Sequence, residues 1–134
     1  MKSYFHSVLL TLTITFLTSS FVVISVNKPS FTVKIEGLET LDLKEGIMPS
    51  ELSKMTIETD DANVSVEEFE VILARGSKPV VVPGENVTGN SYDLAEFATL
   101  ARSGDRLVID LIEINGLDKD DIPVEKRVII IPIK

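Results

Sequence analysis

The stretch Glu67–Arg75, EEFEVILAR, restricts the fold more than any other part of the chain. Phe69, Val71 and Leu73 alternate with Glu68, Glu70 and Ala74. A period of two places these sets on opposite faces of an extended strand, one able to be buried while the other meets water. A helix would scatter the same residues around its axis. The pattern recurs in FTVKI, where Phe31, Val33 and Ile35 oppose Thr32 and Lys34, and in MTIET, Met55 to Thr59. Asp60, Asp61 and Asn63 end the latter run as turn residues.

The remaining segments fit the same plan. Gly37 and Gly46 bracket Leu41 and Leu43, which could form a short strand, and Pro49–Ser50 opens a helical turn with Ser50 as its cap. Gly76 to Lys78 closes a hairpin into PVVVP. Pro79 and Pro83 cannot donate ladder hydrogen bonds, so this run, with Val80, Val81 and Val82, reads as an edge strand. Leu94, Phe97, Ala98 and Ala101 have helical spacing, which predicts a helix over Asp93–Arg102. Asp93 and Glu96 would form its capping box, and Gly104 follows its end. From Leu107 the apolar set first occupies odd positions (107, 109, 111) and then even ones (112, 114), which predicts a bulge near Asp110–Ile112. RVIIIPI is apolar on both faces up to Pro132 and reads as a central or well-covered strand. About seven short strands with one short helix define an all-β, Ig-like antiparallel β-sandwich over 31–134.

The N-terminus has a different character. Lys2 and His6 precede a charge-free run from Val8 to Val26, 19 residues of which seven are Thr or Ser. This is the layout of a signal peptide, and it is also long enough to span a bilayer as a retained anchor. Residues 1–26 are therefore read as a signal peptide or N-terminal membrane anchor and 27–30 as a linker. Either reading places the domain outside the cytoplasm, periplasmic or associated with the cell envelope. Membrane contact is confined to 1–26, if that segment is uncleaved.

Several chemistries are excluded or weakened by the residues present. There is no cysteine, hence no disulfide framework or thiolate site, and the single histidine, His6, lies in the export segment. The mature domain therefore lacks the parts of a Ser-His-Asp triad or a histidine-bound zinc site. A net charge of −8 repels phosphate backbones, so nucleic acid is not an expected partner. No glycine-rich phosphate loop is present.

The acidic loops at 58–61 and 118–121 are the candidates for calcium, with Asp118, Asp120 and Asp121 the weak metal-ligand set. Neither has EF-hand spacing, and Pro123 follows where the turn glycine would be needed. A solvated turn is the simpler account. Glu67, Glu68 and Glu70 are likewise more simply a solvated face than a glycosidase pair. The sequons at Asn63 and Asn86 are short enough to arise by chance. Pro79, Val80, Val81, Val82 and Pro83 offer a protein-binding edge by strand addition, against the alternative that the prolines merely protect that edge.

Four segments carry a family resemblance: VEEFEVILARGSKPV, DLAEFATLAR, SGDRLVIDLIEING and VIIIPI. Their order resembles the C-terminal domain of the GldM family, the periplasmic stalk protein of gliding motility and type IX secretion in Bacteroidetes. The resemblance implies an Ig-like sandwich that contacts envelope partners without doing chemistry, and it implies no cofactor. The long stalk of that family has no counterpart here, so a stand-alone exported domain is expected, in motility, secretion or envelope regulation. A homodimer is compatible with this reading. The competing reading is a calcium- or carbohydrate-binding extracellular β-sandwich.

Overall fold

Two antiparallel sheets form from the alternating runs in the computed structural model, which describes residues 29–81 and 86–134. The expected leader or anchor at 1–26, Asn27 and Lys28 of the expected linker, and Val82 and Pro83 lie outside the described residues. In chain order the strands and helices are β1 (Phe31–Ile35), β2 (Lys54–Thr59), β3 (Ser65–Arg75), β4 (Lys78–Val81), β5 (Val87–Thr88), β6 (Ser91–Asp93), α1 (Ala95–Ala98), β7 (Arg106–Asn115), α2 (Val124–Arg127) and β8 (Val128–Pro132). One sheet has the order β1-β2-β6; the other has β4-β3-β7-β8, with β5 also paired to β3.

The alternation sets what each sheet buries. Val33 and Ile35 of β1 and Met55 and Ile57 of β2 meet Phe69, Val71 and Leu73 of β3, Leu107, Ile109 and Leu111 of β7 and Ile129 and Ile131 of β8 in one core. Phe69, Val71, Leu73, Leu107 and Ile109 are wholly inaccessible. Burying an aliphatic or phenyl side chain of this kind contributes roughly 1.5–3 kcal/mol, so the β3–β7 pair supplies much of the apolar driving force.

That pair also holds the predicted bulge, and a second one. The register runs Val66↔Ile114, Glu68↔Glu113, Phe69↔Leu111, so Glu67 on β3 and Ile112 on β7 are each an extra residue. Leu111 and Ile114 are both buried although three apart, and so are Val66 and Phe69. Both strands change parity at the same level, which keeps apolar side chains inward on either side of the irregularity. The Glu67 carbonyl, turned out of this ladder, accepts the Gly89 N–H at 2.6 Å beside β5.

Four expectations are corrected. Leu41 and Leu43 form no strand: the Asp42 carboxylate accepts the Lys44 N–H at 2.8 Å and its carbonyl accepts the Gly46 N–H, winding the segment into a turn. At Pro49–Glu51 there is a single 3-10 turn, with Ser50 inside it; Glu51 caps it by accepting the Met48 N–H at 2.8 Å. The helix expected over Asp93–Arg102 is reduced to Ala95–Ala98: its start is set by the pairing of Ser91–Asp93 with β2 and by Asp93, which accepts the Ala95 N–H at 3.0 Å, and beyond its end the Arg102 N–H goes to the Asp105 carboxylate. Its apolar face is nevertheless used, with Leu94 and Phe97 buried.

The fourth correction matters most for function. RVIIIPI is not central: β8 pairs with β7 alone and ends the larger sheet, with Ile129, Ile131 and Ile133 turned inward and Ile130 left 45% exposed. Its far end is covered by a parallel bridge from Ile47 to Ile133. That approach requires glycine at position 46, whose φ is +82° and where an added Cβ would run into the Pro132 carbonyl.

This contact yields a stability prediction. Gly37 shares a positive φ, +91°, but faces open space. Alanine at either position carries the strain of a side chain in the left-handed region, of order 1–3 kcal/mol. Gly46→Ala should lose at least about 1 kcal/mol more than Gly37→Ala in urea unfolding, because the β8 backbone must move. Equal midpoints for the two variants would contradict the close approach.

Candidate functional site

Several carboxylates of the described residues are bound into the fold. Asp105, 2% exposed, stands where the turn after α1 enters β7. Its carboxylate accepts from Arg75 Nε at 2.8 Å, from Arg75 Nη2 at 2.9 Å and from the Arg102 N–H at 2.8 Å. Arg75 first, and then the Arg102 N–H, hold the carboxyl below its usual range against the opposing effect of burial. The Gly104–Asp105 turn also binds the C-terminus: Gly104 N–H donates to the Ile133 carbonyl and Ile133 N–H to the Asp105 carbonyl, each at 2.8 Å.

The acidic loop expected at 58–61 is similarly occupied. Asp60 accepts the Ser30 N–H and the Ser30 hydroxyl, both at 2.8 Å, and these bonds lower its pKa, with Lys126 adding a smaller attraction. Ser30, read from sequence as linker, is thus tied into the sandwich. Asp61 accepts the Asn63 N–H at 2.9 Å. In the loop at 118–121, the Asp118 carboxylate accepts the Asp120 N–H at 3.0 Å, and Asp118, Asp120 and Asp121 are all exposed around a 3-10 turn at Lys119–Asp121. Among the described residues no three His, Asp or Glu side chains converge as a metal-binding group.

Two open depressions, of about 500 and 470 Å3, lie over polar residues of the smaller sheet and beside the turn at Gly89–Asn90. Among the described carboxyl groups the resolved shifts, those of Asp60 and Asp105, are downward. A general acid needs the opposite. Tyr92 is raised, chiefly by burial and secondarily by the nearby Glu96 and Asp93. Among the described residues, no helix is long and apolar enough to cross a membrane.

What the geometry leaves open is backbone at sheet edges. Of the sequence-predicted edge residues, Pro79 and Val80 lie in β4 at one end of the larger sheet, Pro79 exposed and Val80 partly buried against the core. Val81 ends β4. The structure places none of them in a cleft with Asp118, Asp120 or Asp121. At the other end of that sheet, β8 faces the start of β1 across a more apolar cleft of about 240 Å3 that includes Phe31, Leu43, Val128 and Ile130. The sequence reading missed this second edge. Pro132 was its available signal, by the same logic that marked Pro79 and Pro83.

A family model described as GldM C-terminal domain matches residues 38–134. No curated protein and no solved structure matches the chain.

Two predictions follow from the committed carboxylates. A carboxyl whose pKa is lower folded than unfolded contributes stability above the unfolded value, near pH 4, and that contribution is lost as pH falls through the folded value. Asp105→Asn should therefore lower the urea midpoint at pH 7 and flatten its decline between pH 5 and pH 2 relative to the parent chain. Asp60, also shifted downward, keeps its own contribution in both chains. Parallel pH profiles would show that Asp105 is not held by charge. Secondly, excess calcium or a chelator should leave the melting temperature of the domain unchanged; an upward shift with calcium would restore the acidic loops as a site.

Proposed function

The chain belongs to the GldM C-terminal domain family, and we propose that it is a non-catalytic protein-binding module of the cell envelope, accessory to gliding-motility and type IX secretion machinery. One observation supports the reading: the Asp105 carboxylate is buried and held by Arg75, while the sheet edges at β4 and β8 have no pairing strand among the described residues. Such edges recognise polypeptide through main-chain hydrogen bonds and need no reactive group. In this reading residues 1–26 export the domain or tether it to the membrane, and the partner is another envelope protein.

The test is crosslinking in cells of the C-terminally tagged chain, then affinity purification, identification of the captured proteins and an intact mass of the bait. Reproducible capture of a motility or secretion component, with the bait in the envelope fraction, is the expected result. Recovery of the bait alone would leave the family likeness as one of fold. The intact mass decides separately whether 1–26 is removed.

A further inference from the structure

One half of the β8 edge is closed by the chain itself, and the other half has no partner among the described residues. Ile47 N–H donates to the Pro132 carbonyl at 2.9 Å and Lys134 N–H to the Ile47 carbonyl at 3.0 Å, so the Pro132 carbonyl points away from β7. Ile133 N–H, one residue on, points back to Asp105. Successive residues of a strand direct their polar groups to opposite sides, so Ile130 and Val128 also point outward. The Val128 N–H is taken by the Val124 carbonyl. The Val128 carbonyl and both backbone groups of Ile130 have no partner among the described residues.

Beside this stretch lies the 240 Å3 cleft between β8 and β1, with Lys126 at its rim. Leu43 and Ile130 flank it, 47% and 45% exposed, in a domain that buries most of its large aliphatic side chains. Unpaired strand backbone beside an apolar cleft is the surface that an added strand would complete.

We propose that the open half of the β8 edge, Val128–Ile130, is a docking site for a short extended segment of a partner protein, added as a strand through Ile130. The proposal rests on the protein-binding reading above and gives it a place. The unmet groups are a donor and two acceptors at strand spacing, which an extended main chain matches and a helix, with its own bonds closed, does not. A second copy of this chain does not fit. Two β8 strands paired antiparallel about Ile130 would bring α2 of one onto Pro132–Lys134 of the other, where Ile47 already sits. The accessible edge is therefore three residues long, which suits a tail or an exposed loop.

The partner's side-chain chemistry follows from the pleat. The residue opposite Ile130 faces outward beside it, and those on either side point inward as Ile129 does, into the cleft. The segment is thus aliphatic-x-aliphatic, with no proline at the residue opposite Ile130, where its N–H is needed. Two other edges compete. Asp60 N–H to the Ser30 carbonyl and Glu36 N–H to the Lys54 carbonyl turn the backbone groups of the even residues of β1 toward β2, so those of Phe31 and Val33 point away from β2 while the Val33 side chain stays in the core. The β4 edge has lost one donor to Pro79.

The probe is a blocked hexapeptide of alternating valine and threonine, titrated into the 15N-labelled chain and followed by amide NMR. The expected result is saturable shifts at Ile130 and Leu43 and slowed hydrogen exchange of the Ile130 amide. N-methylation of alternate peptide residues, in either phase, should give one form that binds about tenfold more weakly or worse, and Leu43→Glu, at an exposed side chain, should do the same. No saturable shift, shifts confined to Phe31 and Val33 or to Lys78–Val81, or equal binding by both N-methylated forms would overturn the site. A photo-crosslinking residue placed at 130 or at 78 in cells separates the two readings. Capture through 78 alone sinks this site and keeps the binding module, whereas capture through neither, with no partner from the tagged chain, sinks the module itself.

Discussion

The buried carboxylate of Asp105 is the constraint around which the larger sheet is organised. A charge taken out of water must be matched by donors in good geometry. Here they come from the end of β3, through Arg75, and from the turn after α1, through the Arg102 N–H. The main chain of the same turn binds Ile133 twice and so fixes the end of β8. One acid thereby sets the relative positions of three strands and a helical turn. Apolar burial supplies the driving force and fixes which face of each strand turns inward; the Asp105 contacts add directional bonds at one end of the sheet.

The strands were legible because their signal is local. Parity in FTVKI, MTIET, EEFEVILAR and RLVIDLIEIN is a property of a few neighbouring residues, and each became a strand with the expected inward set. The change of parity after Leu111 foretold a bulge for the same reason. The matching change in β3, from Val66 to Phe69, was equally present in the sequence and was masked by the longer run that follows it. Asp42 shows the reverse: its side chain bonds within its own turn and overrides the weak alternation of Leu41 and Leu43. The helix at Asp93 was shortened by pairing with β2, a contact between residues far apart in sequence.

The same division separates what could be read of the site. Asp105 looked like an ordinary turn acid because nothing near it in sequence indicates that Arg75 folds over it. The acidic loops looked available because the donors to their carboxylates, Ser30 and nearby backbone N–H groups, are brought into place only by the fold. RVIIIPI looked central because it is apolar on both faces. Its outward Ile130 stands in a cross-strand row with Val108, itself opposite Ile72, so the second apolar face serves the outside of the sheet.

The paired bulges of β3 and β7 have a consequence for how the chain can change length. Glu67 and Ile112 each displace the strand by one residue, and the displacements cancel, so that Val66 still meets Ile114 and Ser65 meets Asn115. Removing either residue alone would restore strict alternation in its own strand, with Val66 and Phe69, or Leu111 and Ile114, two apart and still inward opposite a bulge in the partner. Removing both would leave a regular ladder with the same inward set. A one-residue deletion at either bulge is therefore absorbed at this level of the sheet, without a complementary change about 45 residues away along the chain.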